Sequence, residues 1–158
     1  MADPDSAAEP AFQPQAPSSA AVVGCGVIGA AWASRLVLSG VDVAISDPSP
    51  DAAAIMREVL ANAVLAWDDL GLDTSSRGEW RMATSVADAV TNVAFVQESV
   101  PERPDIKAPV LAEIEAAANP TTLIGSSTSG IKPTTLQATM THPERLVVGH
   151  PYNPVYLL

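Results

Sequence analysis

Three glycines near the start of the sequence have a spacing that suits the binding of phosphate groups. They form the pattern Gly-x-Gly-x-x-Gly in the string VVGCGVIGAAW, after an apolar run and ahead of a helical pattern. The first glycine of such a loop permits a tight turn, the second lets the backbone approach a pyrophosphate, and the third lets the helix pack close to a sheet. Amides at the helix start then face the phosphates. We therefore predict a dinucleotide-binding loop made of Gly24, Cys25, Gly26, Val27, Ile28 and Gly29.

An acidic residue after the second predicted strand indicates which dinucleotide is bound. Asp47 ends the apolar run VDVAIS, about twenty residues beyond the glycine loop, where a carboxylate holds both ribose hydroxyls. It would repel the additional phosphate of NADP, so NAD is the predicted cofactor. The glycine pattern also occurs by chance in glycine-rich loops, but the adjoining strand, helix and Asp47 favour the nucleotide site. Cys25 is interpreted as a small filler of the loop rather than a nucleophile.

Apolar runs alternate with helical patterns along most of the chain. Six runs predict strands: AAVVG, VDVAIS, WRMAT, VAFVQES, TLIGSS and RLVVGH. Helices are predicted over 27–39, ending at Gly40; from Ser49 and Pro50, with Met56, Leu60, Val64 and Trp67 on one face; after a capping box at Ser85 and Asp88; and from Pro104 to Ala118, with Val110, Ile114 and Ala117 on one side. This alternation is typical of βαβ units. The predicted fold class is α/β, a Rossmann-like, doubly wound and mainly parallel sheet.

Composition and charge argue against several classes of binding partner and site for this protein. The 158 residues carry a formal net charge of −10 and have a pI near 4.3, which argues against nucleic acid and anionic membrane as partners. The single cysteine excludes an intramolecular disulfide and argues against a cysteine-based metal site. No apolar run reaches the ~20 residues that a membrane helix needs.

The first nineteen residues differ in composition from the rest. They are rich in Ala and Pro, contain no Lys or Arg, and lack the basic start and apolar stretch of a signal peptide. We predict that residues 1–19 are a disordered extension and that residues 20–158 form the dinucleotide-binding domain. The predicted location is the cytoplasm.

Four separated stretches resemble one known family. The strings VVGCGVIGAAW, QESVPERPDIK, GSSTSGIKP and PERLVVGHPYNPVYLL are similar, in that order, to the 3-hydroxyacyl-CoA dehydrogenase superfamily. Acyl-CoA members usually show Asn-Thr-Ser-Ser and a His-Phe-Phe-Asn-Pro type of motif. This chain instead has Ser-Thr-Ser-Gly and His-Pro-Tyr-Asn-Pro. The strings VQESVPE, LIGSSTSG and GHPYNPVYLL are most similar to the members that oxidise L-carnitine, which implies a small free acid as the substrate.

The resemblance implies roles for five residues. His150 would be the general base that takes the proton of the substrate's 3-hydroxyl as hydride leaves C3 for the nicotinamide, and an imidazole pKa near ~6.5 suits that role. Ser129 and Asn153 would hydrogen-bond the reacting oxygen or help to place the nicotinamide. Glu102 and Lys107 match family positions that border the cofactor. The alternatives are a structural role for the histidine and a solvated position for the lysine.

Substrate recognition depends on residues near or beyond the last of these motifs. Aromatic faces hold trimethylammonium groups, so Tyr152 or Tyr156 is expected to border the substrate unless both simply pack the turn. In the family, a glutamate that orients the histidine follows this region, as does a helical domain that forms much of the substrate pocket and of the homodimer interface. We expect this chain, which ends at Leu158, to bind NAD(H) without substantial turnover on its own. The alternatives are an acyl-CoA or gulonate-type substrate and a non-catalytic NAD-binding module.

Overall fold

Six parallel strands form one sheet in the order β3-β2-β1-β4-β5-β6. The structure is a computed structural model, and it describes residues 17–157. The strands are β1 (Ser19–Val23), β2 (Asp42–Ser46), β3 (Trp80–Met82), β4 (Phe95–Glu98), β5 (Leu123–Ser126) and β6 (Leu146–Val148). All six predicted strands are present, and the predicted fold class is confirmed. The predicted disordered extension lies outside the described residues except for 17–19, where Ser19 already belongs to β1.

The strand order brings the carboxyl ends of the strands to one edge of the sheet. Val23, the last residue of β1, pairs with Ser46 of β2 on one side and with Glu98 of β4 on the other. Ser126 of β5 continues this row beside Glu98, and Val148 of β6 lies beside Ser126. The loops that follow these strands are therefore neighbours, at the edge where open parallel sheets bind their ligands.

Helices cover both faces of the sheet. They are α1 (Val27–Leu38), α2 (Ala52–Asp69), α3 (Val86–Val90), α4 (Pro104–Ala117) and α5 (Pro133–Gln137), with two 3-10 turns at Pro143–Arg145 and Val155–Leu157. Successive strand residues point to opposite faces. Val22 and Ile45 therefore pack against α1 and α2, whereas Ala21 and Val96 pack against α3, α4 and α5. Two apolar cores thus hold the sheet between them.

The predicted C-terminal end of α1 is confirmed, whereas α2 begins later than predicted. Gly40, just past α1, has the left-handed φ of +80° that its position predicts and donates its N–H to the carbonyl of Val37. The N-cap of α2 is Asp51, two residues later than predicted. Ser49 lies in the preceding turn, where its hydroxyl and its carbonyl accept the amides of Asp51 and Ala52. The predicted start was wrong because a Ser-Pro pair also suits such a turn.

The buried face of α4 contains a charged residue. That face consists of Lys107, Leu111 and Ile114. Val110 and Ala117, which were predicted for the same side, are only partly buried. The three predicted residues do lie against one apolar core, but the sequence pattern left out Lys107, which an ion pair with β4 holds inside.

Of the two short helices, α3 was predicted from its cap and α5 was not predicted. Ser85 caps α3 as predicted, since its Oγ accepts the amide of Asp88. No apolar periodicity predicted α5, whose five residues make little more than one turn. Within residues 17–157, no helix is both long enough and apolar enough to cross a membrane.

Candidate cofactor and catalytic site

Two of the three loop glycines are required by close backbone contacts. Gly24 has a φ of +93°, and a Cβ placed on it would lie 2.7 Å from the carbonyl carbon and oxygen of Ser99. A Cβ on Gly29 would lie 1.8 Å from the carbonyl oxygen of Gly24. Both contacts are with backbone, which cannot move aside as a flexible side chain can. The loop after β1 therefore folds tightly against the loop after β4, and α1 begins directly on top of it.

Gly26, the middle glycine, faces open space. Apart from its own two chain neighbours, no described residue has an atom within 4 Å of a Cβ placed on it, so no packing contact demands a glycine here. It is the N-cap of α1, no side chain caps this helix start, and the first turn holds no acidic residue. The first amides of α1 are therefore left to an external acceptor, and a dipolar helix start favours an anion. These features fit the diphosphate of a dinucleotide.

The glycine loop borders a cleft of about 640 Å³. Its walls come from the loops after β1, β2 and β4 and from the start of α4, and they include Gly24, Gly26, Val27, Ile28, Asp47, Ser99, Val100, Pro101 and Ile106. The structure thus brings most of the predicted cofactor residues to one cavity. Its predominantly apolar side chains, beside the open amides of α1, suit a ligand with flat rings joined by charged phosphates.

Asp47 holds the glycine loop as well as facing the cleft. Its Oδ2 accepts the amide of Cys25 at 2.6 Å, and its Oδ1 accepts the amide of Ser49 at 2.7 Å. A carboxylate offers about four acceptor sites, so each oxygen keeps capacity for a ribose hydroxyl. The same carboxylate connects the loop after β2 to the loop after β1.

Cys25 is a buried thiol. Its side chain is 1% exposed, and its Sγ lies 3.6 Å from the carbonyl oxygen of Ala52, to which it donates. Burial, with the charge of Asp47 as a smaller cause, raises the pKa of Cys25 to about 11. The protonated thiol is a poor nucleophile. The amide of Cys25 is already used by Asp47, so this residue shapes the loop.

A buried ion pair joins β4 to α4 next to the cleft. Lys107 Nζ lies 2.7 Å from Glu98 Oε1, and the two side chains are 1% and 0% exposed. The same ammonium donates to the carbonyl of Val100 at 3.1 Å and lies 3.5 Å from Glu102 Oε2. Glu98 also accepts the hydroxyl of Ser126 and the amide of Val100. The ammonium of Lys107 is thus surrounded by acceptors of the protein itself.

Glu102 organises the loop that follows β5. Its Oε1 accepts the hydroxyl of Thr128 at 2.6 Å and the amides of Ser129 and Gly130 at 2.9 and 2.8 Å. Partial burial raises the pKa of Glu102, but these hydrogen bonds and the charge of Lys107 outweigh it and lower the pKa to about 2. The ionised carboxylate therefore ties the predicted Ser129 loop to the ion pair of α4.

His150 lies just after β6 and contacts the residue that follows β5. Its Nδ1 lies 3.3 Å from the carbonyl oxygen of Ser127. A carbonyl can only accept, so this contact needs the proton on Nδ1 and leaves the lone pair of the neutral ring on Nε2. The ring borders a hollow of about 230 Å³ that is also lined by Trp32 and Tyr152. The indole N–H of Trp32 is buried and has no partner among the described residues.

Of the remaining predicted residues, only Tyr152 lines this hollow. Ser129 and Asn153 are exposed residues of the loops after β5 and β6, at the same edge of the sheet as His150. Tyr152 is 79% exposed. Tyr156 instead packs against the cluster of Leu38, Ala63 and Trp67, and its carbonyl accepts the indole N–H of Trp67.

Sequence reasoning missed a polar network beneath the histidine. Gln97 Nε2 donates to Ser127 Oγ at 2.8 Å, and Ser99 Oγ lies 2.8 Å from the same oxygen. The signal was present in the string VQES, where an apolar run ends in three polar residues, the first two of which are the last residues of β4. Trp32 was also missed, because it occupies an apolar position of a helix and gives no separate signal.

Residues 19–158 match the sequence model of the 3-hydroxyacyl-CoA dehydrogenase NAD-binding domain, and the chain belongs to this family. The match starts at the first residue of β1 and includes the glycine loop, the ion pair and the His150 motif. The cofactor of the domain is NAD, as the loop and Asp47 predicted.

Two bacterial relatives and one solved structure show how much of the family's chain is present. This chain is 54% identical over 142 residues to the L-carnitine dehydrogenase/betainyl-CoA thioesterase of Rhizobium meliloti (strain 1021). The alignment covers 89% of this chain and 29% of that protein. It is 52% identical over 145 residues to the L-carnitine dehydrogenase of Mesorhizobium japonicum, covering 89% of this chain and 39% of that protein. A crystal structure of an NAD+-dependent pyridine-carboxylic acid 5-dehydrogenase is 36% identical with a TM-score of 0.80, covering 88% of this chain and 46% of that one. The chain thus spans less than half of each.

Proposed function

We propose that the complete gene product oxidises the 3-hydroxyl of L-carnitine to 3-dehydrocarnitine and forms NADH. The observation that carries the proposal is the identity of 52–54%, over 89% of this chain, to the two relatives named for L-carnitine dehydrogenation. Two features of the geometry support it. The cleft beside the glycine loop and the hollow beside His150 lie at the same edge of the sheet, and His150 has its Nε2 lone pair available.

His150 is the general base of the proposed reaction. Bound NAD supplies the acceptor for the hydride that leaves C3. The hydroxyl proton passes to Nε2 of His150, so that the alcohol becomes a ketone and the imidazole becomes positively charged. The carbonyl of Ser127 keeps accepting from Nδ1 throughout and stabilises that charge.

Ser129 and Asn153 are the proposed hydrogen-bond donors for the reacting oxygen or the nicotinamide amide. Both are exposed residues on loops at the ligand-binding edge. Glu102 orients the Ser129 loop through its three hydrogen bonds. Lys107 acts through Glu102 and Glu98, since its ammonium is buried between them. Glu102 and Lys107 therefore position the cofactor-facing loop.

Tyr152 and Trp32 are the proposed aromatic contacts of the trimethylammonium group. Both line the hollow that contains His150, whereas Tyr156 packs into the helix cluster. A cation–π contact contributes about 0.5–2 kcal/mol. In the complete gene product, Tyr152→Ala should therefore raise the KM for L-carnitine by about 2- to 30-fold. An unchanged KM would contradict this assignment.

The proposal also includes the assembly and the location implied by the resemblance. The complete gene product is proposed to be a cytoplasmic homodimer with a small-molecule substrate. Sedimentation velocity on the complete gene product tests the dimer, and a monomer at micromolar concentration would contradict it.

The activity is tested by NADH absorbance with the complete gene product. L-carnitine should give NADH, and His150→Ala should lower kcat by about a hundredfold or more. His142→Ala is the matched control, because it removes the other histidine of the chain, which is exposed in a polar turn. A 3-hydroxyacyl-CoA and L-gulonate complete the panel. Turnover of either in place of L-carnitine would overturn the substrate, and no turnover of any would overturn the activity.

A further inference from the structure

Gln97 is a fully buried amide in the middle of the sheet. It is 0% exposed, lies one residue before the end of β4, and faces β5. A Cβ placed on its neighbour Gly125 would lie 2.4 Å from Gln97 Oε1. The missing side chain at Gly125 thus makes room for the amide. An apolar side chain of the same volume would fill this space without burying polar atoms.

The amide group of Gln97 reaches the loop that follows β5. Its Nε2 donates to Ser127 Oγ at 2.8 Å. The hydroxyl of Ser127 is shared with Ser99 Oγ, also at 2.8 Å. The carbonyl of Ser127 is the group that contacts Nδ1 of His150 at 3.3 Å. One residue therefore receives the amide of Gln97 on its side chain and presents its backbone to the histidine.

The same amide also lies close to the residue before His150. A Cβ on Gly149 would lie 3.4 Å from Gln97 Oε1 and 3.8 Å from Nε2. Gly149 donates its own amide to the carbonyl of Ser126, which continues the pairing of β5 with β6. Gln97 thus lies next to Ser127, which contacts the imidazole, and close to Gly149, which precedes it.

Gln97 Oε1 has no hydrogen-bond partner among residues 17–157. A buried acceptor without a partner lowers stability. The amide is therefore poorly explained by stability, and a role in placing the loops at the ligand-binding edge accounts for it better.

We propose that Gln97 is a positioning residue for His150. Through Ser127 and Gly149 it sets the carbonyl that holds the proton on Nδ1, and so keeps Nε2 unprotonated and ready to accept the substrate proton. The effect of Gln97 on catalysis rests on the proposed function, in which His150 is the general base. The tautomer of His150 can be measured without any activity.

The test is the tautomer of His150 in the 158-residue chain, read from ¹⁵N chemical shifts of labelled histidine. The chain has two histidines, so His142→Asn assigns the signals. In the unaltered chain the neutral His150 should carry its proton on Nδ1. In Gln97→Met, which keeps the volume and removes the amide, the tautomer population should shift towards the one of free histidine. Gln137→Met is the matched control, since Gln137 hydrogen-bonds the carbonyls of Pro143 and Leu146 and should leave His150 unchanged.

Two results would overturn the inference. One is an unchanged tautomer of His150 in folded Gln97→Met, and the other is an equal shift in Gln137→Met. Should Gln97→Met not fold, Ser127→Ala breaks the same link from a partly exposed position and should shift the tautomer in the same direction. An unchanged tautomer in Ser127→Ala contradicts the inference.

In the complete gene product, Gln97→Met should lower kcat about tenfold and move the acidic limb of the kcat–pH profile, with the NAD dissociation constant within about twofold of the unaltered protein. A merely structural role would change stability without moving the profile. If the tautomer shifts but L-carnitine is not a substrate, the proposed function fails and the positioning role of Gln97 remains.

Discussion

The two halves of the ligand-binding edge are built in different ways. Around the glycine loop, contacts are made by backbone: Gly24 touches Ser99, Gly29 touches Gly24, and the amides of α1 are uncapped. In the loops that follow β4 and β5 up to the His150 turn, side chains make the contacts: a buried ion pair, the partly exposed Glu102 and the buried Gln97. A backbone-built site depends on the absence of side chains. A side-chain-built site depends on partners that are distant in sequence.

The largest expected effect breaks the backbone-built half. Gly29→Ala places a Cβ against the carbonyl of Gly24, where 1.8 Å is available. Helix α1 must then lift away from the sheet, and the free energy of unfolding should fall by about 4–5 kcal/mol. Urea unfolding followed by circular dichroism measures it. Gly26→Ala is the matched control and should change stability by less than about 1 kcal/mol. Equal stability of the two variants would refute the close-contact explanation.

The next effect breaks the side-chain-built half. Lys107→Met removes the cation from a carboxylate that is 0% exposed. An unpaired buried charge should lower the free energy of unfolding by about 3–4 kcal/mol, measured in the same urea experiment. Adding Glu98→Gln removes the charge and should restore most of the loss. Wild-type stability for Lys107→Met alone would mean that the pair does not join β4 to α4 as described.

A smaller effect is expected in the pH dependence of stability, through the carboxylate of Glu102. The pKa of Glu102 is about 2 in the folded chain and near 4.5 otherwise. Its hydrogen bonds therefore stabilise the fold above pH 4.5, and this contribution is lost as the pH falls to about 2. Because the side chain is 40% exposed, the contribution is about 1–2 kcal/mol after screening.

Glu102→Gln isolates that contribution. The variant should lose less stability than the unaltered chain between pH 5 and 3, as measured by urea midpoints at both pH values. Parallel pH dependence in the two proteins would show that the carboxylate does not hold the Ser129 loop.

The same contrast explains which features the sequence could predict. The glycine loop, Gly40 and the Ser85 cap are local patterns, and the structure contains each of them. The apolar side of α4 was predicted from its own residues, but the buried position of Lys107 could not be, because its partner lies nine positions earlier on another element. Gln97 is farther still from its partner, thirty positions in sequence.

The candidate site divides in the same way. NAD binding could be predicted from the glycine loop and Asp47, because each is recognised by its own position in a βαβ unit. The roles of Ser129, Asn153 and His150 came from the family resemblance and are still proposals. The hydrogen bond that the carbonyl of Ser127 accepts from the imidazole depends on β5 and β6 being neighbours, and no pattern within either strand predicts that contact.

The most direct test of the account is calorimetric titration of NAD into the 158-residue chain. We expect saturable binding at one site, binding of NADP weaker by about tenfold or more because of Asp47, and a similar loss for NAD in Gly26→Val, whose side chain fills the open space at the start of α1. Folded protein that takes up no NAD, or a Gly26→Val variant that binds it as well as the unaltered chain, would contradict the account.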